Sequence, residues 1–353
     1  MTTDIVLSGQ AGAIAVAGQV ANHYAAGNSF TEYTSRKADN TLRAQLGDLE
    51  TWTEYLCAAT NGADCPDAET LQTRPEAWRG VTWGLVKGFV QWMLSEGYAI
   101  GTINRHLATV RVYCKLAAQA GVIGATEAAM IRTVQSYGGK DAKRIDERRE
   151  TTRRPTKRGT GGKSTKKAAH VAISLDQAKA LKAQPETPQG RRDALLMALL
   201  LDHGLRVGEV AILTVDAFQT DENGVFDFYR PKVGKQQKHR LSDDTLRAVK
   251  AYMQHDAPAR GSLLFRQSVK GGRLTDDAGI SERNLSERVR TLGKRVGIPN
   301  LSAHDCRHSW ATRAVAGKTD AFALRDAGGW ASLAMPSRYV EAAAIANERV
   351  TLG

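Results

Sequence analysis

Apolar residues recur at helical spacing through the first part of the chain. Asn40 or Thr41 caps a helix whose Leu42, Leu46, Leu49, Trp52 and Leu56 fall on one side. From about Pro75 to Glu96, Trp78, Val81, Leu85, Phe89 and Trp92 form one stripe, and Trp83, Val86, Val90 and Met93 a second beside it. Gly97 supplies the C-terminal cap. A third helix runs from Thr102 to Gly121 on Ile103, Leu107, Val110, Cys114 and Ala117, and a short fourth follows Thr126. Trp52, Trp78, Trp83 and Trp92 are read as core. The pattern predicts a helical domain over residues 40–137. Residues 1–39 are mildly apolar, with Asp4 where a signal peptide would be basic, and read as a flexible leader.

Between 138 and 170 the periodicity stops. Gly, Thr, Lys and Arg dominate, and large apolar side chains are nearly absent, as in a linker. It resumes at Val171. Ser174 and Gln177 form a capping box, and the apolar helix 191–203 ends at Gly204. After the turn signal Asn223-Gly224, Val225 to Arg230 alternates as a strand, with a hairpin tip at 232–237 and a return through Leu241. Helices are expected at about 243–254, 281–296, 304–316, 320–327 and 336–347. The fold class is mainly α with a small antiparallel β-sheet, in two domains: the helical one and an α+β domain over 171–353 with a tail helix. The longest apolar run, Ala194 to Leu201, is too short for a bilayer. A cytoplasmic protein is expected.

Charge sharpens this picture. Of a net +12, the stretch from Gly139 to His170 carries twelve Lys and Arg against four acids. Such a run favours a polyanion, because each neutralised phosphate releases counterions. Lys140, Lys143, Arg144, Arg153 and Arg154 are candidate contacts there, as are Arg105, Arg111 and Lys115 off the buried stripe of the third helix. GTGGKST at 159–165 invites a phosphate-loop reading, but Lys157 stands where that pattern needs Gly, and no strand precedes it. Cys57, Cys65, Cys114 and Cys306 form no CxxC pair or zinc spacing and read as reduced thiols.

The second domain carries, in order, a set of residues suited to phosphoryl transfer. Arg206 follows the end of the buried helix, where its planar fork can aim at phosphate oxygens, and Glu209 three residues on can fix it. Lys232 and Lys235 sit near a hairpin tip, where a lysine can donate a proton to a leaving oxygen. His304 and Arg307 share a face at a helix start, whose N-terminus favours an anion. Gly328-Gly329-Trp330 precedes Tyr339 by nine residues from Trp to Tyr. Each piece alone is common, and each has an ordinary reading as an ion pair, a solvated turn or a packing residue. Breaking a DNA strand without metal or ATP needs one nucleophile, paired cations and a proton donor, and the ordered set supplies all three.

GLRVGE, K-V-G-K on a hairpin, HDCRH, GGW and a Tyr nine residues later resemble the tyrosine recombinase (phage integrase) family. The resemblance covers about 171–347, and the domain at 40–137 is similar to that family's core-binding domain. It implies that Arg206 and Arg307 clamp the scissile phosphate, that Lys232 (with Lys235 as rival) is the hairpin lysine, and that His304 is a donor or base. Trp330 occupies the usual second-histidine position, as in Cre recombinase; it can donate one hydrogen bond but cannot shuttle protons. Tyr339 is the implied nucleophile, forming a 3′-phosphotyrosyl bond. The resemblance further implies double-stranded DNA with paired half-sites, a homotetramer acting through a Holliday junction, a tail docked on a neighbour and no cofactor. Accessory proteins stay open. A type IB topoisomerase and a non-catalytic DNA-binding regulator are the alternatives.

Overall fold

Alanine has the highest intrinsic helix propensity, and the alanine-rich start of the chain is helical. In the computed structural model, which describes residues 3–63, 65–150, 170–218, 224–256 and 258–343, α1 spans Thr3–Ser35. A flexible leader was expected there. The far end of α1 is anchored: Phe30 and Ser29 are buried, and the Phe30 ring lies 5.7 Å from that of Tyr113. The apolar pattern missed this because, among the described side chains of α1, Phe30 is the one large buried anchor.

The chain divides into two units, 1–168 and 169–353. In the first, α2 (Asp39–Ala59), α3 (Ala68–Thr73), α4 (Trp83–Ser95), α5 (Ile100–Gln119), α6 (Ala125–Thr133) and α7 (Gly139–Glu150) follow α1. The single helix expected from Pro75 to Glu96 is two elements. A 3-10 turn covers Pro75–Trp78, and Thr82 caps α4 by accepting the Leu85 N–H at 3.3 Å. The break turns Trp83 outward, 37% exposed, instead of into the core. Trp52 and Trp78 are fully buried and stack at 6.2 Å. Helix α7 occupies the start of the stretch read as a linker, since Ala142 and Ile145 pack on this core. Most of that linker, with Arg153, Arg154 and GTGGKST, lies outside the described residues, as does the tail beyond 343. Cys57 and Cys65, read as reduced thiols, are paired in a disulfide with Cα atoms 5.4 Å apart; Cys114 and Cys306 are buried thiols. Nothing in the spacing of those four residues signalled a pair.

The second unit is built on α9 (Pro188–Asp202), preceded by α8 (Leu175–Lys182) with the expected Ser174–Gln177 capping box. Every residue from Leu195 to Leu201 is buried, because α9 is apolar all round and is enclosed by neighbours. The short α10 (Val207–Ala211) follows. Strands β1 (Val225–Arg230) and β2 (Lys235–Arg240) pair antiparallel, Val225 opposite Arg240 and Arg230 opposite Lys235. The tip is therefore a 3-10 turn at Pro231–Val233 plus Gly234, shorter than the 232–237 expected, and Lys235 already lies in a strand. Then come α11 (Asp243–His255), a second hairpin of β3 (Arg266–Ser268) and β4 (Leu274–Gly279), α12 (Glu282–Arg295), α13 (Ala303–Ala316), α14 (Ala321–Gly328) and α15 (Ala334–Ala343). The second hairpin had no sequence signal, its residues being mostly polar and charged. No helix among the described residues is long and apolar enough to cross a membrane.

His203 closes α9 inside this unit, its Nε2 3.1 Å from the Thr245 hydroxyl. Burial, then the charge of Lys182, push its pKa down from 6.5 to about 4. An unfolded chain therefore binds this proton below about pH 6.5, while the folded chain refuses it until about pH 4. Stability is full above that window and is lost as pH falls through it, by about 3 kcal/mol for this group. Denaturant unfolding at pH 7 and pH 4.5 should show a larger loss for wild type than for His203→Gln. Equal losses would mean that His203 is not held neutral by the fold.

Candidate active site

Helix α9 stops at Gly204, whose φ is +60°. A Cβ there would lie 2.3 Å from the Trp310 ring on α13, so the turn needs glycine on two counts. The Gly204 carbonyl accepts a hydrogen bond from Arg307 Nη1. Two residues later Arg206 opens α10 in extended conformation. Glu209, 2% exposed, takes the Arg206 backbone N–H at 2.8 Å on Oε2 and Arg206 Nη1 at 2.7 Å on Oε1. The expected Arg206–Glu209 pair is thus present, and it leaves the Arg206 side chain a quarter exposed.

Glu209 holds a second arginine. Arg230, the last residue of β1, is fully buried and donates from Nη1 to Glu209 Oε2 at 2.8 Å. Its Nη2 donates to the Ala327 carbonyl at 2.7 Å and its Nε to Gln237 of β2. Arg307, on the second turn of α13, is 3% exposed. Its Nη2 donates to the Gly328 carbonyl, and its guanidinium lies 4.4 Å over the Trp330 ring, a cation–π contact. Arg206 Nη2 reaches the Gly329 carbonyl at 3.3 Å. Three consecutive carbonyls, of Ala327, Gly328 and Gly329, therefore each accept from one arginine. They terminate α14, where a helix has unsatisfied acceptors and the negative end of its dipole. Burial, then the neighbouring charge of Arg206, push the Arg307 pKa down to about 9, so it stays cationic at neutral pH.

Tyr339 projects from α15 into this group. It is 6% exposed, packed with Ala311, Val315 and Leu324, and its ring lies 4.9 Å from His308 and 5.9 Å from Trp330. Burial raises its pKa above the ordinary phenol value, while the Arg307 charge works the other way. His304 stands exposed on the first turn of α13, after the Ser302 cap. Its ring is 5.3 Å from that of His170, which stacks on His308 at 3.7 Å. Burial, then the charges of His170 and His304, lower the His308 pKa.

The structure thus gathers Arg206, Glu209, Arg307, Trp330 and Tyr339, with His304 at the rim. It does not bring Lys232 into the group: Lys232 is exposed on its turn, as is Lys235 at the start of β2, and Lys232 makes no hydrogen bond or ion pair with another described residue. Sequence reasoning singled out neither Arg230 nor His170. Arg230 had a signal, since it falls two and four residues beyond the inward-facing Phe228 and Phe226, where a charge needs a buried partner. In the first unit, Arg105 pairs with buried Asp48 at 2.8 Å and Arg111 donates to the Arg132 carbonyl at 2.9 Å. Lys115 is exposed on α5, and Lys140, Lys143 and Arg144 on α7.

A two-unit, mainly helical fold with a tyrosine set among arginines is that of a tyrosine recombinase. Residues 172–345 match the model of the phage integrase family. Tyrosine recombinase XerC of Methylobacterium nodulans is 27% identical over 314 residues, 87% of this chain and 84% of that protein. XerC of Mycobacterium sp. strain JLS is 23% identical, over 88% of this chain and 92% of its own length. Among solved structures, a lambda integrase dimer bound to a COC′ core site shares the fold with a TM-score of 0.58 at 14% identity, over 90% of this chain and 94% of that one. The Tn1549 transposon integrase in complex with transposon right end DNA gives 0.57 at 15%, over 89% and 94%. This chain belongs to the phage integrase family of tyrosine recombinases.

The Gly328–Gly329 corner generates a stability prediction. Gly329 has φ +59°, and a Cβ there would lie 2.5 Å from Arg230 Cδ. Gly329→Ala should destabilise the second unit by about 1–3 kcal/mol, read as a lower midpoint in urea. An unchanged midpoint would mean that Arg230 is not packed against this corner.

Proposed function

We propose that the chain is a site-specific DNA recombinase that cleaves and rejoins strands through a 3′-phosphotyrosyl bond to Tyr339. The observation that carries this reading is the placement of a buried tyrosine within the field of Arg307, itself held beside Arg206. Two guanidinium forks can grip the non-bridging oxygens of one phosphate and stabilise the charge that develops there. Tyr339 Oη attacks phosphorus, the bond from phosphorus to the 5′ oxygen breaks, and that oxygen takes a proton. Its ester conserves the energy of the broken bond, so rejoining is the reverse attack by a 5′ hydroxyl and needs no ATP.

Acid–base work falls on the remaining groups. Resting Tyr339 keeps its proton at neutral pH, since burial holds its pKa high; His304 accepts it. Lys232, on its exposed turn, serves the leaving oxygen once DNA is bound. Trp330 contributes one N–H and packs on Arg307, without moving a proton. The partner is double-stranded DNA with paired half-sites, contacted by Arg105, Arg111, Lys115, Lys140, Lys143, Arg144, Arg153, Arg154 and Lys235. Four protomers exchange strands through a Holliday junction, with the protein associated with cytoplasmic DNA.

The test is covalent capture. With nicked DNA carrying its paired half-sites, wild type should give an adduct stable to denaturant. Tyr339→Phe should bind equally well and give none. An adduct from the Phe variant would falsify the assignment of the nucleophile. Relaxed plasmid without joined sites would point instead to a topoisomerase.

A further inference from the structure

We infer that Arg230 is a positioning residue that ties the Lys232 turn and the carbonyl corner before Trp330 to the Arg206 clamp; the inference rests on the recombinase reading above. Four observations converge on this side chain. It is fully buried, at 0% exposure, which a guanidinium tolerates only when its donors are taken. Its Nη1 shares the Glu209 carboxylate with Arg206, at 2.8 Å on Oε2. Its Nη2 holds the Ala327 carbonyl at 2.7 Å, one peptide before the carbonyl that takes Arg307. Its Nε holds Gln237, across the hairpin on β2, and Gln237 Nε2 in turn donates to the Asp326 carbonyl at 2.6 Å.

Arg230 also begins the turn, two residues before Lys232 and opposite Lys235 in register. A shift of the hairpin base therefore strains the same carboxylate that sets the Arg206 fork. Arg230 touches no reacting atom; it acts through Glu209, the hairpin base and the α14 corner. Lysine can keep the charge but not three divergent hydrogen bonds, so Arg230→Lys separates charge from geometry. Misplacing catalytic groups by about 1 Å can slow a reaction about a hundredfold.

The experiment is single-turnover cleavage of nicked site DNA by the full chain at saturating protein, with DNA affinity and melting temperature measured on the same preparations. Wild type must first give an adduct and Tyr339→Phe none; failure there overturns the recombinase reading rather than this one. Arg230→Lys should bind DNA within about twofold of wild type, by analogy with a residue outside the contact surface, yet cleave at least about tenfold more slowly. Adding Glu209→Gln should cost little beyond either single change, because both break one network. Gln237→Leu, which removes the bonds of Gln237 to Arg230 and Asp326 but leaves those of Arg230 to Glu209 and Ala327, should slow cleavage without lowering the melting temperature, and decides the matter if Arg230→Lys does not fold. Unchanged cleavage by a folded Arg230→Lys or Gln237→Leu overturns the inference. So do losses that multiply fully with those of Glu209→Gln.

Discussion

Three arginines must be packed side by side in the second unit, and most of its local architecture follows from that. Arg206, Arg230 and Arg307 repel one another, and two of them are removed from water. Two features offset this cost. Glu209 supplies one buried negative charge shared by Arg206 and Arg230. Helix α14 ends against the group, so that Ala327, Gly328 and Gly329 present their carbonyls to the three guanidiniums. With one carboxylate for three cations, the group keeps an excess of positive charge, which favours an anion.

That arrangement explains the demands on the neighbouring backbone. Gly329 takes a left-handed conformation beside Arg230, and Gly204 does the same beneath Trp310. Both are points where the chain must pass a large side chain too closely for any Cβ. Trp330 then lies flat under Arg307 and edges toward Tyr339. Tyr339 is thus held by a residue that also packs on Arg307. Burial keeps its proton on, while Arg307 favours its loss.

The histidines divide by environment. His203 is buried and His239 half-buried, with pKa values of about 4 and about 3 set first by desolvation, and both pack on the Phe226 ring. His170, His304 and His308 stand together near Tyr339, the first two exposed and His308 half-buried, with buried Asp305 3.7 Å from His170. The same side chain therefore does structural work in one place and is available for proton chemistry in another.

The helices of both units were legible because burial on one face leaves a periodic trace, as at Leu49, Trp52 and Leu56 or Val289 and Leu292. The candidate site was legible for a different reason: motif order survives although its members lie up to 133 positions apart, from Arg206 to Tyr339. Where a long element is anchored near one end, as Phe30 anchors α1, the trace is too thin to read. The polar second hairpin and the Cys57–Cys65 pair left none. What residue types and their spacing determined was which groups can do chemistry and in what order they come. Only the tertiary structure decided which of them meet, because a hydrogen bond such as Arg230 to Ala327 joins positions that no local period connects.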